Sequence, residues 1–165
     1  MSLDQRTRRL WHREITFASA KGSDLNILHA LGYFDGWGKF LYHLYCRQSQ
    51  IEGLVAQHLG IAPQKCHAAD AEQWITGTFN VCVRVDVDQD PYPVDQGPPG
   101  PPPAQQLMIR FPLPYRIGEQ NSPGNADEKV RCEAGTYAWF QENCPAIPIP
   151  QLYGFGLTSG QTVCL

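Results

Sequence analysis

The sequence predicts an α+β fold, a small antiparallel sheet with one helix packed on it behind a helical N-terminal stretch, and three patterns carry that expectation. Residues 24–59 repeat apolar side chains at helical spacing: Trp37, Leu41, Leu44 and Tyr45 share a face that Ile51, Leu54, Val55, His58 and Leu59 continue. From Phe79 to Val87 the period drops to two, with Phe79, Val81, Val83, Val85 and Val87 on one side and Asn80, Cys82, Arg84, Asp86 and Asp88 on the other. A further helix is then expected from Asn125, a capping residue, to about Asn143, since Pro145 forbids it from continuing much further.

Taken in order, the chain opens with Arg6, Arg8, Arg9 and Arg13, a short terminal cluster read as a solvated, frayed end or, alternatively, a basic patch. In the first helical stretch, Gly36 and Gly38 weaken the case for an unbroken helix before residue 39. Gly60, with Pro63 soon after, marks its stop. On this stripe His58 reads as a packed core histidine, and Trp37, Phe40 and Tyr45 as packing aromatics.

The valine-rich run 79–87 has the β-branched content of a half-buried strand. After it, residues 90–104 carry Pro91, Pro93, Pro98, Pro99, Pro101, Pro102 and Pro103, and so lack the amide donors a ladder requires. That segment is expected as a loop of polyproline II character, either a plain insertion between two strands or a ligand for a proline-binding domain. The run Asp86, Asp88 and Asp90 reads as an acidic strand end or a cation site. Leu107 to Phe111 is the next strand, apolar apart from Arg110. Asn125, three residues ahead of Glu128, has the spacing of a capping box. Ile147 to Leu152 is expected as an edge strand, ended by Gly154 and Gly156.

Bulk properties narrow the function. At 165 residues the chain has room for one modest core, and with 42% hydrophobic and 18% charged residues it is of globular composition. A net charge of -3 without a basic stripe argues against nucleic acid. No apolar run approaches the roughly 20 residues needed to cross a bilayer. The N-terminus, Met1-Ser2-Leu3-Asp4-Gln5-Arg6, has no apolar leader, so a cytoplasmic location is expected. The six cysteines then read as free thiols or small hydrophobes. Cys66-His67, the nearest approach to a metal cluster, lacks a partner pair at zinc-site spacing.

One helix position invites chemistry. Glu133 shares a face with Val130 and Tyr137, which are expected to meet the sheet, and a carboxylate turned inward needs a partner. Either Arg110 on the neighbouring strand supplies it, or Glu133 sits at the stripe's edge and pairs with Lys129 or Arg131.

Four segments in order, Gly77-Thr78-Phe79-Asn80 leading into the valine strand, Leu107-Met108-Ile109-Arg110-Phe111-Pro112, Asp127-Glu128-Lys129-Val130-Arg131-Cys132-Glu133, and Ile147 to Gly156, together resemble the nucleotide-binding lobe of the aminoglycoside phosphotransferase-like enzymes. The I-R-F-P form of the second is common in the fungal subgroup of that family. The resemblance implies the N-terminal lobe of a protein-kinase-like fold over residues 63–165, with 90–104 as its loop and 1–62 as a helical extension. It implies ATP and Mg²⁺ as cofactors and a small hydroxyl-bearing acceptor. The turn Gly77, Thr78, Phe79 and Asn80 would close over the phosphates, Arg110 would hold them in place of the usual lysine, and Glu133 would fix Arg110. Arginine clamps phosphate bidentately and always carries its charge, though it is bulkier than lysine.

The catalytic half of such a fold needs an H-x-D-x-x-x-x-N segment, in which Asp orients the acceptor and Asn helps hold Mg²⁺. The five histidines, His12, His29, His43, His58 and His67, are followed at that spacing by Glu14, Leu31, Tyr45, Gly60 and Ala69. Glu14 in turn leads to Ser19 and not to asparagine. The resemblance therefore implies a lobe whose catalytic partner lies beyond Leu165, inactive alone, whether through a gene model, an alternative transcript or a short natural product. The other expectations are a non-catalytic interaction module that docks or self-associates through the proline segment or an uncovered lobe face, and a degraded remnant with no function.

Overall fold

The computed structural model describes residues 6–10, 13–23, 27–88 and 105–164. It is a mixed α+β structure of small antiparallel sheets and several helices. The expected loop 90–104 and Asp90 lie outside the described residues.

The central strand is β5 (Asn80–Val87), and its alternation translates directly into burial: Val81, Val83 and Val85 are wholly shielded from solvent and Val87 nearly so. Along one edge, β6 (Gln105–Pro112) pairs antiparallel over the full length, from Asn80↔Pro112 to Val87↔Gln105. The other edge is shared by two short strands. β3 (Cys66–Ala68) takes the far end, Cys66↔Val87 to Ala68↔Val85, while β4 (Ile75–Thr76) takes the near end, Ile75↔Cys82 and Thr76↔Val81. Between them Trp74 is buried, its indole N–H donating to the Ala69 carbonyl at 2.8 Å.

The valine face is covered by helices. Ile51, Val55 and Ala56 of α3 (Gln48–Leu59) and Leu44 of α2 (Ile27–Tyr45) join Val81, Val83, Val85, Val87, Cys66, Trp74 and Leu113 in one cluster. Burying each valine or leucine there contributes about 1.5–3 kcal/mol. Helices preceding residue 62 and strands following it thus bury a common core.

The helical stretch expected over 24–59 is, among the described residues, two helices, α2 and α3. It breaks at Cys46 and Arg47, where no glycine or proline announces the turn, and Arg47 Nη1 donates to the His43 carbonyl at 3.1 Å. Tyr45 consequently falls off the packed stripe and is exposed. Gly36 and Gly38 do not interrupt α2. Gly36 instead permits a close approach, because a Cβ there would overlap the Tyr115 ring. α3 stops as expected at Gly60, which adopts φ 67° and donates to the Ala56 and Gln57 carbonyls.

The N-terminal arginines do not form a simple frayed end. β1 (Thr7–Leu10) and β2 (Arg13–Thr16) pair as a hairpin, from Thr7↔Thr16 to Leu10↔Arg13, and Arg9 lies over the Phe34 ring at 4.7 Å. A short helix, α1 (Phe17–Lys21), follows it, capped by Thr16.

Beyond β6, the one-turn helix α4 (Pro114–Ile117) leads to α5 (Asn125–Asn143). The expected capping box does not form. The N-cap is Gly124, at φ 101°, and Glu119 reaches across from the preceding turn, its carboxylate accepting from the amides of Gly124 and Ala126 at 2.7 Å each. Asn125 is turned instead to donate to the Ile117 carbonyl at 2.7 Å.

Ile147 to Leu152 is not a strand. Pro148 and Pro150 remove alternate donors, and pairing begins only at β7 (Gly154–Gly156), which forms a separate hairpin with β8 (Thr162–Cys164). This hairpin closes on α3, where His58 Nδ1 lies 3.2 Å from Cys164 Sγ. It closes on α5 as well: Asp127 accepts from the Thr158 amide and hydroxyl, bonds that hold its carboxyl below the ordinary range. His58 is thus a partly buried residue in a hairpin contact.

All six cysteines are free. Cys66 is a buried small hydrophobe, its thiol pushed up by burial and then by Glu52 and Asp88. Among the described residues no cluster of histidine, cysteine and carboxylate side chains is grouped to hold a metal ion. Asp86 faces Arg84 and Asp88 faces His67. No described helix is long and apolar enough to cross a membrane.

Candidate functional site

The polar face of the sheet, opposite the valines, carries a cleft of about 370 Å³. It is lined by Gly77, Thr78, Phe79, Asn80, Arg110 and Glu133, the six residues singled out in the sequence, together with Ile75, Cys82 and Lys129. Three elements build it: the β4–β5 turn, the outward side of β6 and the inner face of α5.

The turn is held from three sides. Gly77 N–H donates to the Asn80 carbonyl at 2.8 Å, the Phe79 carbonyl accepts from Leu113 N–H at 2.8 Å, and the Thr78 carbonyl accepts from Arg116 Nε at 2.8 Å. Arg116 is itself seated over the Tyr33 ring at 4.5 Å, so α2 braces the turn through one side chain. While the carbonyls of Thr78, Phe79 and Asn80 are taken, among the described residues no backbone bond uses the amides of Thr78 and Phe79. Asn80 Oδ1 is shielded and lacks a hydrogen-bond partner.

Phe79 departs from expectation. The strand begins one residue later, and Phe79, at 51% exposure, lies at the cleft rather than among the valines.

On β6, Arg110 faces away from the core opposite Cys82. The helix brings up Glu133, whose Oε2 is 3.8 Å from Arg110 Nη1 and whose Oε1 accepts from Lys129 Nζ one turn earlier. Both alternatives posed by the sequence therefore hold together, with the carboxylate bridging a strand cation and a helix cation. Arg131 is exposed and takes no part. Val130 and Tyr137 are half-buried beside Glu133, as the shared face requires. Burial works against the Arg110 charge, but Tyr137, Cys82 and Glu133 more than offset it and hold the guanidinium above its ordinary value.

Lys129 was legible only as a rival partner for Glu133, and its side chain, at 21% exposure, is the most enclosed of the three charges. Ile75 and Cys82 enter through strand register, Ile75↔Cys82↔Arg110, which no local motif reveals. Chemically the lining offers two cations, one carboxylate, two amides without backbone partners and the exposed Phe79 ring. That set suits an anion joined to a flat apolar group.

No protein-family model, no curated protein and no solved structure matches the chain.

Proposed function

We propose that this chain is the nucleotide-holding lobe of an aminoglycoside phosphotransferase-like, kinase-fold protein, and that the cleft takes the phosphates of ATP. The observation that carries the reading is the convergence of the β4–β5 turn, Arg110 and Glu133 on one cleft, with Arg110 and Glu133 3.8 Å apart. Arg110 would grip phosphate oxygens through its fork, and the amides of Thr78 and Phe79 would donate to them. Glu133 would fix the Arg110 side chain, and Ile75 and Phe79 would flank the base.

The residues present fit the nucleotide but do not by themselves form a magnesium site. The cleft's one carboxylate, Glu133, is already shared by two cations. Mg²⁺ is commonly held by one or two carboxylates together with substrate phosphates. These residues include no H-x-D-x-x-x-x-N segment. The proposed role is accordingly to hold phosphates, without orienting an acceptor hydroxyl.

Calorimetric titration with ATP tests the reading. Binding is expected for the natural chain, with a loss of about tenfold or more in Arg110→Ala, the scale of one charge-assisted clamp. Labelled ATP offered with a panel of amino alcohols and aminoglycosides should show no turnover. Absence of binding at millimolar ATP, or equal binding by Arg110→Ala, rejects the reading.

A further inference from the structure

We infer that Lys129 is a second phosphate-gripping cation, and that with Arg110 it lets this cleft hold a polyphosphate without a divalent ion. The inference rests on the nucleotide reading above and extends it to a residue and a ligand form.

The starting point is charge. The cleft lining contains Arg110, Lys129 and Glu133 as its ionised side chains, two positive and one negative, in a chain whose formal charge is -3. An anion is therefore drawn to this face against the sign of the whole molecule. Glu133 neutralises only one cation's worth of charge while touching both. The surplus is what an entering phosphate would use.

The two cations also differ in what they can do. Arg110 stands on a paired strand, half-exposed, with its guanidinium at the loose end of the Glu133 contact, 3.8 Å away. Its planar fork suits two oxygens of one phosphoryl group. Lys129 stands on α5 a helical turn from Glu133 and donates to its carboxylate, but its ammonium is a point charge on a four-carbon stem. Swinging that stem from the carboxylate to a phosphate oxygen leaves the helix untouched. Glu133 would then turn its remaining charge to Arg110, so the ligand's arrival tightens the strand–helix pair. Two such cations meet two adjacent phosphoryl groups, the neutralising task that a magnesium ion commonly performs between them.

The experiment titrates sodium tripolyphosphate, and in parallel ATP, into the full chain in EDTA and in excess Mg²⁺. Wild type is expected to bind tripolyphosphate in EDTA. Lys129→Met should weaken that binding about tenfold, and Lys129→Arg should keep it within about threefold, as expected of a residue that contributes one mobile charge. Lys39→Met removes an exposed lysine on α2 and should change little. Circular dichroism confirms that each variant is folded.

The outcomes separate. If Lys129→Met binds like wild type while Arg110→Ala does not, the nucleotide reading stands and the role of Lys129 is overturned. If Lys39→Met loses as much as Lys129→Met, the effect is bulk charge and the inference is overturned. Binding by wild type only when Mg²⁺ is present also overturns it. If neither ATP nor tripolyphosphate binds under any condition, the nucleotide reading itself fails.

Discussion

The two faces of β5 are built from alternate residues of one strand, yet they follow different rules. On one, Val81, Val83 and Val85 are fully enclosed by α2, α3 and Leu113; on the other, Cys82, Arg84 and Asp86 are only half-covered. The first face is decided by apolar area, and its residues have little freedom to change. The second is covered only in part, and α5 contributes a single buried residue, Ala134. Polar contacts hold α5 in place instead: the Glu119 cap, the Asp127–Thr158 bonds and the Arg110–Glu133–Lys129 bridge. A face that is not sealed can keep charges hydrated enough to remain ionised and still cluster them. The candidate site lies on that face, beside the strand that the core fixes most firmly.

The sharpest way to break this comparison is to exchange the rules at adjacent residues. Val83→Asp places an unpaired carboxylate where no water reaches and should cost about 4 kcal/mol or more, enough to leave most of the chain unfolded. Cys82→Ser, one residue away on the other face, should cost less than about 1 kcal/mol. Urea denaturation followed by circular dichroism measures both. Similar losses from the two variants would mean that the polar face is as dependent on packing as the core.

A smaller effect is expected where the β7–β8 hairpin meets α3. A Cβ on Gly154 would overlap the His58 ring and the Val163 carbonyl, and the latter is backbone that cannot swing away. Gly154→Ala should destabilise by about 1–3 kcal/mol, the usual range for overpacking. Hydrogen exchange should show the loss concentrated in residues 154–164. Protection unchanged across the hairpin would show that it gives way without cost.

The same contrast explains what the sequence made legible. β5 was readable because its buried face writes a period of two into the residues, β6 from its short apolar run, and α5 from the start signal at Asn125 and the stop at Pro145. The helix break at Cys46–Arg47 was not, because the turn is made by backbone bonds and carries no glycine or proline. The β1–β2 hairpin was hidden by its brevity and its arginines. Ile147 to Leu152 misled because isoleucines suggested a strand while Pro148 and Pro150 denied it donors. At the site, Arg110 and Glu133 were readable from facing positions. Lys129 was not separable from a surface pair, since i,i+4 spacing looks the same on an exposed helix as in a cleft. Glu119 was missed because its cap reaches over a turn rather than along a motif.

That cap supplies the next test. A capping box would make Glu128 the important carboxylate, whereas the geometry gives the role to Glu119. Glu119→Ala should cost about 1 kcal/mol, as loss of a helix cap generally does. Glu128→Ala should cost a few tenths, through the helix dipole alone. Thermal denaturation of the pair decides between them, and the reverse order would restore the box.

The smallest expected effect belongs to the edge where β3 meets β5, on the polar side of the same strand. His67 Nε2 lies 3.0 Å from Asp88 Oδ2, both well exposed. The bond to Asp88 raises the imidazole above its ordinary 6.5; desolvation pulls the other way, while the charges of Asp88, Glu52 and Asp86 add to the rise. A histidine whose folded value is raised stabilises the fold fully below the unfolded value, and that contribution disappears as pH climbs through the folded value. Asp88→Asn should therefore lower the His67 titration midpoint, read from its C2 proton by NMR. The stability gap between Asp88→Asn and wild type should be larger at pH 6 than at pH 8. Because the pair is exposed, added salt should shrink both differences. A His67 midpoint that Asp88→Asn leaves in place would show that the acidic residues around it, and not this bond, set its charge.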